Sequence, residues 1–463
     1  MSKIVDSIKD MISVTLSAQI IILPVMLYHF NIIGIYFLLA NILVSIIITP
    51  IMILAIIFVF LSFINLEISK FISIFLSWGI EGLIQIANLS NLPFSKIYVA
   101  TPKIFTIIIY YILVLVFNQI YKIYTNKEIN STEKRIKNLI ALAKYNVYLK
   151  RRKLKTFFVS IKLFGSKNNM TLKNKIRIIV LKACRIFCVI LILVVIIQLN
   201  QKLEIHFLDV GQGDSCFIVT PHNKTILVDG GGSTSSSFDV GKETLIPYLL
   251  DRGYTKIDYI FISHFDQDHS LGCAKIIENL TVSNLVLTKQ LEENDIYKHI
   301  VSIAKQKKIN LIYVKAGDVI TVNGVKIKIL HPQEKLIAEN SINNNSIVFK
   351  LEYKSFSILF TGDIENIAEE VILSKNINLK ADILKVAHHG SKTSSSQRFI
   401  EAVSPKIALI GVGKNNMFGH PNREVIERLQ SYGTKIYRTD ECGEISIMVN
   451  NRGKIVGIKK CIK

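Results

Sequence analysis

Apolar residues fill the first 120 positions almost without interruption, whereas after residue 200 the pattern changes to short β-rich runs separated by turns. The apolar stretches run at about 14–30, 32–66, 71–90 and 104–121, and a last one spans 178–199. A bilayer crossing takes roughly 20 residues, so 32–66 is too long for one span, and Pro50 predicts a break between two helices. The reading is a partial membrane region at 1–121 with about five apolar helices. Its first segment is short, contains Pro24, and fits a re-entrant element as well as a crossing. Residues 1–13 mix Lys3, Asp6, Lys9 and Asp10 with apolar positions and lack the layout of a secretory signal. Farther on, 203–210, 215–220, 225–229 and 257–263 predict strands and 242–252 a helix. The alternation continues to the C-terminus, so 200–463 predicts one α/β domain with a substantial core.

Charge orients this arrangement. The chain carries +21, but residues 1–200 hold 23 Lys and Arg against 6 Asp and Glu, and residues 201–463 hold 33 against 29. The stretch 122–177 alone has 16 basic and 2 acidic residues. Concentration in one loop between apolar segments is the positive-inside bias, which predicts a cytoplasmic loop; gripping DNA or anionic lipid is a secondary use open to it. The segment 104–121 then crosses inward and 178–199 outward, with Lys182 and Arg185 snorkelling at its cytoplasmic end. The expected protein is a multi-pass plasma-membrane protein with an extracytoplasmic C-terminal domain. A disordered chain, a small disulfide scaffold and a single soluble domain are excluded by length and a 50% hydrophobic content. Six scattered Cys, none in a CxxC pair, indicate neither a zinc finger nor a disulfide framework.

Candidate chemistry gathers after the predicted strands. The run at 257–263 leads into His264-Phe265-Asp266-Gln267-Asp268-His269, which places four potential ligands within six residues. Such a cluster is costly to desolvate unless a cation neutralises it, which favours a metal site over a solvated acidic turn. Further polar groups follow other apolar runs: Thr361-Gly362-Asp363 after 356–360, His388-His389-Gly390-Ser391 after 383–387, and Phe418-Gly419-His420-Pro421 beyond 406–412. An α/β sheet builds its active site at strand ends of this kind.

These motifs resemble the metallo-β-lactamase superfamily, whose HxHxDH signature corresponds to His264 through His269. They resemble more closely the C-terminal domain of the ComEC competence DNA-uptake channel family. That family's LDVGQGDS strand stands at Leu208 to Ser215 and its VDGG at Val228 to Gly231, and HxDxDH, TGD, HHGS and GHP follow in its order. In the membrane part, Leu16-Ser17-Ala18-Gln19 through Leu23-Pro24, Phe30 and Ala40-Asn41 are similar to the last part of the family's channel domain. The resemblance implies a multi-pass α-helical membrane region followed by an αββα metallo-β-lactamase-like sandwich. It also implies a chain that corresponds to the C-terminal portion of a family member, with the N-terminal half of the channel encoded separately or lost.

The resemblance further implies two divalent metal ions. His264 and Asp266 would hold one, Asp268 and His269 the second, with Asp363 bridging and either His420 or His389 completing the second site. Asn343 stands about where the superfamily has a further His, with His331 the weaker alternative, and is also a candidate substrate contact. Asp266 and Asn343 in place of imidazoles make the set oxygen-rich, which predicts Mn²⁺ ahead of Zn²⁺ or Mg²⁺. Asp229 would orient His264 or the nucleophile, and His388, His389 and Ser391 would bind the scissile phosphate or protonate the leaving oxygen. Together with Asp268 these form the expected catalytic set. The expected function is a membrane-anchored, metal-dependent nuclease acting on incoming DNA, its partners being DNA, the lipid bilayer, the missing channel half and other DNA-uptake proteins. The alternatives are a phosphodiesterase for small or cell-wall substrates such as phosphocholine esters, and a non-catalytic subunit of a split DNA channel.

Overall fold

The computed structural model describes residues 2–92, 95–125, 202–233 and 238–461. The basic loop from residue 126 onward and the apolar segment 178–199 lie outside the described residues.

Four helices precede the loop: α1 (Ser2–Phe30), α2 (Phe37–Ile64), α3 (Leu66–Ala87) and α4 (Ile104–Thr125). Ile12–Phe30, Phe37–Ile64 and Leu66–Ala87 are long and apolar enough to cross a membrane, and α4 carries a shorter apolar stretch, Ile104–Asn118. The expected break at Pro50 is absent, because α2 continues through it for 28 residues. Proline removes one backbone donor and crowds the preceding turn, but an apolar medium offers the freed groups no water, so the helix is the cheapest way to keep the rest paired. Pro24 is likewise inside α1, whose apolar part is long enough to span. Asn65 separates α2 from α3 and caps α3, its Oδ1 accepting from the Glu67 and Ile68 amides at 2.9 and 3.2 Å. Gly79 lets α3 approach α2, since a Cβ there would lie 2.6 Å from Ile51 Cγ1.

The domain after residue 202 contains two sheets. The first has eight strands in the spatial order Ile455–Cys461, Glu444–Val449, Leu203–Phe207, Cys216–Val219, Thr225–Val228, Lys256–Phe261, Thr281–Leu287, Asn310–Tyr313. The second has seven, in the order Lys435–Arg438, Ile407–Ile410, Ile383–Lys385, Phe356–Phe360, Val348–Tyr353, Val325–His331, Val319–Val322. Alternation along each strand sorts side chains between layers. Ile205, Phe207, Cys216 and Ile218 pack with Ile327, Phe349 and Ile358 in the core between the sheets. Phe217, Val219 and Leu227 face the opposite way, against Ile276 and Ile277 of the helix Gln267–Asn279. Leu359, Leu384 and Ala408 pack outward on Phe399, Val425 and Leu429 of helices covering the second sheet. The result is a four-layer αββα sandwich. Cys216, Cys273 and Cys442 are buried free thiols, and Cys461 is an exposed one.

Thr225–Val228 through Asn310–Tyr313 pair in parallel, as do Phe356–Phe360 through Lys435–Arg438. Their C-terminal ends carry the polar motifs: Asp229 follows Val228, His264 lies beyond Phe261, Asp363 beyond Phe360, and His388-His389 beyond Lys385.

Candidate metal centre

The turn after Val228 brings backbone against the helix Gln267–Asn279. Glycines make this possible: a Cβ at Gly232 would fall 1.8 Å from the Gln267 carbonyl oxygen, and one at Gly272 1.9 Å from that of Gly230. Asp229 itself has φ 55°, a left-handed conformation that a non-glycine residue adopts at a cost. What the conformation achieves is a carboxylate aimed under the motif loop. Asp229 Oδ1 accepts from the Ser263 amide at 2.7 Å, and Oδ2 accepts from Ser263 Oγ at 2.8 Å and from His269 Nδ1 at 3.1 Å. Because Ser263 Oγ donates to Asp229, it accepts from His264 Nδ1 at 2.9 Å.

Three imidazoles are thereby held in the same way, each giving its Nδ1 proton to an oxygen and turning Nε2 inward. His264 uses Ser263, His269 uses Asp229, and His389 uses the Gly411 carbonyl at 2.7 Å. Oxygen acceptors behind ring nitrogens are the ordinary way to fix ligating histidines. His269 Nε2 lies 3.2 Å from Asp363 Oδ2 and from His389 Nε2, and His389 Nε2 lies 3.2 Å from Asp268 Oδ2 and 3.3 Å from Asp363 Oδ2. Asp214, His269, Asp363 and His389 offer ligand atoms within 4.8 Å of one another, all buried. Beside them, His264 Nε2 is 3.7 Å from Asp266 Oδ2 and the His264 and His269 ring centres are 4.2 Å apart.

The electrostatics fit a cation. His264 Nε2 is buried with no hydrogen-bond partner, and burial together with the neighbouring His269 holds this imidazole neutral down to about 3. Burial and the Asp268 charge push Asp266 up. Burial opposes the charge of Asp363, yet His269, His389 and Lys385 bring it well below the usual carboxylate range. Burial likewise opposes protonation of His389, but Asp363 and Asp214 outweigh it and raise the group to about 10. Protons on His269 and His389 here do the neutralising that a divalent ion would do, and an ion binding the same nitrogens would displace them.

Not every expected ligand joins the group. His389 stands inside it, whereas His420 is half-buried, its ring 5.8 Å from His388 and stacked on Phe418 at 6.0 Å. Of the two readings for the second site, the geometry therefore brings His389 and not His420 to the cluster. His388 and His389 occupy consecutive left-handed conformations (φ 50° and 54°), so neighbouring side chains diverge, one inward and one toward Glu365 Oε1 at 3.8 Å. Ser391 is buried, its Oγ 3.1 Å from Thr393 Oγ1. Asn343 is buried in the short turn Ser341–Asn344, three residues before Ser346, whose Oγ accepts from the Asp363 amide at 3.2 Å. His331 is not at the cluster: its Nε2 donates to the Asn344 carbonyl at 2.7 Å, and burial lowers the ring to about 4.

Two members were not singled out from the sequence. Asp214 lies in the stretch Leu208 to Ser215, where its carboxylate faces Lys385 Nζ in a buried ion pair. Lys385 also lies 3.3 Å from Asp363 Oδ1 and donates to the Gly362 carbonyl at 2.9 Å. A lone lysine at the end of an apolar strand, two residues before Ala387-His388-His389, was the available signal.

Residues 208–414 match the metallo-beta-lactamase superfamily, and residues 2–121 match the Competence protein family. The chain is a relative of the ComEC competence proteins. It is 34% identical over 279 residues to ComE operon protein 3 of Bacillus subtilis, across 58% of this chain and 36% of that protein. It is 29% identical over 332 residues to Recombination protein 2 of Haemophilus influenzae, across 71% of this chain and 36% of that protein. The matched region is thus about a third of each relative's length. Among solved structures, the metallo-beta-lactamase fold protein YhfI from Bacillus subtilis aligns with a TM-score of 0.34 and 10% identity, over 51% of this chain and 96% of that one.

Proposed function

We propose that this ComEC relative is a membrane-bound, metal-dependent phosphodiester hydrolase acting on DNA during its uptake. One observation carries the reading: a buried group of two carboxylates and two imidazoles, Asp214, Asp363, His269 and His389, with the part-exposed Asp268 carboxylate 3.2 Å from His389, at the strand ends of a domain joined to competence-type membrane helices. His264, Asp266, Asp268, His269, Asp363 and His389 would hold two divalent ions, with Mn²⁺ favoured by the oxygen-rich donors. When bound, such ions supply Lewis acidity and a water acidic enough to attack at neutral pH. Asp229 and Ser263 fix the His264 and His269 rings, and Gly411 fixes that of His389. Lys385 balances the Asp214 and Asp363 charges from behind. His388, which keeps 24% of its side chain exposed, would give a proton to the leaving oxygen, and Ser391, whose amide donates to the His388 carbonyl at 2.8 Å, would support the turn that presents it.

The domain's position outside the cytoplasm has its own support. Thr101 donates its amide to the Leu250 carbonyl at 3.1 Å and its hydroxyl to Asp251 Oδ1 at 2.6 Å, and Asn31 Nδ2 donates to Thr101 Oγ1 at 2.6 Å. The domain thus holds the segment just before α4, while the basic stretch begins at the other end of that helix.

The test uses the full chain in detergent with linear single- and double-stranded DNA and Mn²⁺, Mg²⁺, Zn²⁺ or EDTA, beside Asp268→Ala. Cleavage with Mn²⁺, absent in EDTA and in the variant, is the expected result. Bound metal without cleavage of either DNA would overturn the nuclease reading in favour of small phosphodiesters such as phosphocholine esters.

A further inference from the structure

We infer that the cleft leading to the metal centre takes its strand by stacking bases on protein rings, so that its substrate is single-stranded nucleic acid. The inference rests on the phosphodiesterase reading above and names the substrate of that site. An open cleft of about 770 Å³ has Asp266 and Asp268 on its wall and is rimmed by Phe238, Met417 and Phe418. These rim side chains are 48%, 90% and 62% exposed. Among the described residues none of those lining the cleft is Lys or Arg, and Asp209 adds a third carboxylate. A wall of this charge cannot grip a duplex, which offers phosphates and hides its base faces. A single strand offers those faces, and base-on-aromatic stacking tolerates any sequence.

The rim is built to present its rings. Asn416 Nδ2 donates to the Gly413 and His420 carbonyls at 3.1 and 2.7 Å, and its Oδ1 accepts from the Phe418 and His420 amides at 3.2 and 3.0 Å. Gln212 Oε1, from the facing wall, accepts from the Gly413 amide at 3.2 Å. The loop is tied at both ends while Met417 and Phe418 project from it. Phe418 stacks on His420 at 6.0 Å with a 15° tilt, and His420 meets His388 edge-on at 5.8 Å. A row of rings therefore runs from the rim to the residue beside His389. Leaving a phenylalanine mostly in water forgoes burial energy, and a ligand face restores it.

The experiment compares cleavage, by the full chain with Mn²⁺, of an oligothymidylate and of an abasic oligomer of equal length and charge. The expected result is a KM roughly tenfold lower for the base-bearing strand, a gap that Phe418→Ala or Phe238→Ala narrows and Phe418→Trp retains. Equal KM for both oligomers, or a gap unchanged in both alanine variants, overturns the inference and leaves the nuclease reading intact. Cleavage of neither oligomer with Mn²⁺, Mg²⁺ or Zn²⁺ removes the nuclease reading and this inference with it.

Discussion

At the scale of single residues, the centre depends on two side chains that do not line the open cleft. Asp229 accepts from both Ser263 Oγ and His269 Nδ1, so it fixes the ring of one imidazole directly and of His264 through the serine. Asp229→Asn keeps the shape but offers an amide nitrogen where an acceptor is needed. Metal affinity is expected to fall about 10- to 100-fold, read by calorimetric titration of Mn²⁺ into the apo chain; unchanged affinity would remove Asp229 from this role. Lys385 places a buried ammonium between Asp214 and Asp363. Lys385→Met removes one of the buried positive charges that those carboxylates face, leaving only His269 and His389, a loss on the order of 3–5 kcal/mol in the metal-free chain. A divalent ion would offset part of that loss, so the rise in melting temperature on adding Mn²⁺ should be larger in the variant than in the natural chain. An equal rise would mean that Lys385 is not balancing the same charges.

Elements explain what could be read ahead of the structure. Asp229, His264, Asp363 and His389 were legible because each follows an apolar run of strand length, and parallel strands bring such ends together. Asp214 was not, because it precedes a strand, and its place beside Lys385 depends on how the two sheets face each other. His389 could not be separated from His420 without the left-handed turn that sends His388 and His389 apart. Pro50 misled because its cost in a helix is a cost measured in water. Element pairing also sets a pH dependence. Glu444, on the strand Glu444–Val449, lies 3.1 Å from His206 Nδ1 and accepts from Tyr248 Oη at 2.8 Å and from Arg252 Nη2 at 3.1 Å, joining the strand Leu203–Phe207 to the helix Ile246–Asp251 and its C-cap Arg252. Burial alone would raise Glu444, but the bonds from His206, Ser446 and Tyr248 lower it to about 2. Its contribution is therefore complete above its ordinary value of 4.5 and lost as pH falls toward 2. Burial opposes protonation of His206, while Glu204 and Glu444 raise it, so that contribution is complete below 6.5 and lost as pH rises through the raised value. With Arg252 partly in solvent, Glu444→Gln should cost about 1–2 kcal/mol near pH 5.5 and flatten the acid limb of a stability profile. An acid limb as steep in the variant as in the natural chain would place the sensitivity elsewhere.

For the whole molecule, the question is on which side of the membrane the centre works. Two independent features bear on it. The stretch 122–177, with 16 basic and 2 acidic residues, is the part that the usual charge bias would put on the cytoplasmic face. The domain holds Thr101 through the Leu250 carbonyl and the Asp251 carboxylate, and Tyr98 packs on the core cluster that includes Leu249, Leu250 and Ile276. Between Thr101 and the basic stretch lies α4, whose 22 residues at about 1.5 Å each reach roughly the thickness of a bilayer core. On the proposed topology α4 crosses once between them. Alkaline phosphatase, which folds only where its disulfides form, should then be active when fused after Lys463 and inactive when inserted in the basic loop. A phosphatase active in the loop and silent after Lys463 would invert the topology. Activity at neither or both places would mean that α4 does not separate them, and the Thr101 contact would then carry no information about sidedness. The expected pattern would put the centre on the side from which DNA enters, as the proposed hydrolase of incoming DNA requires.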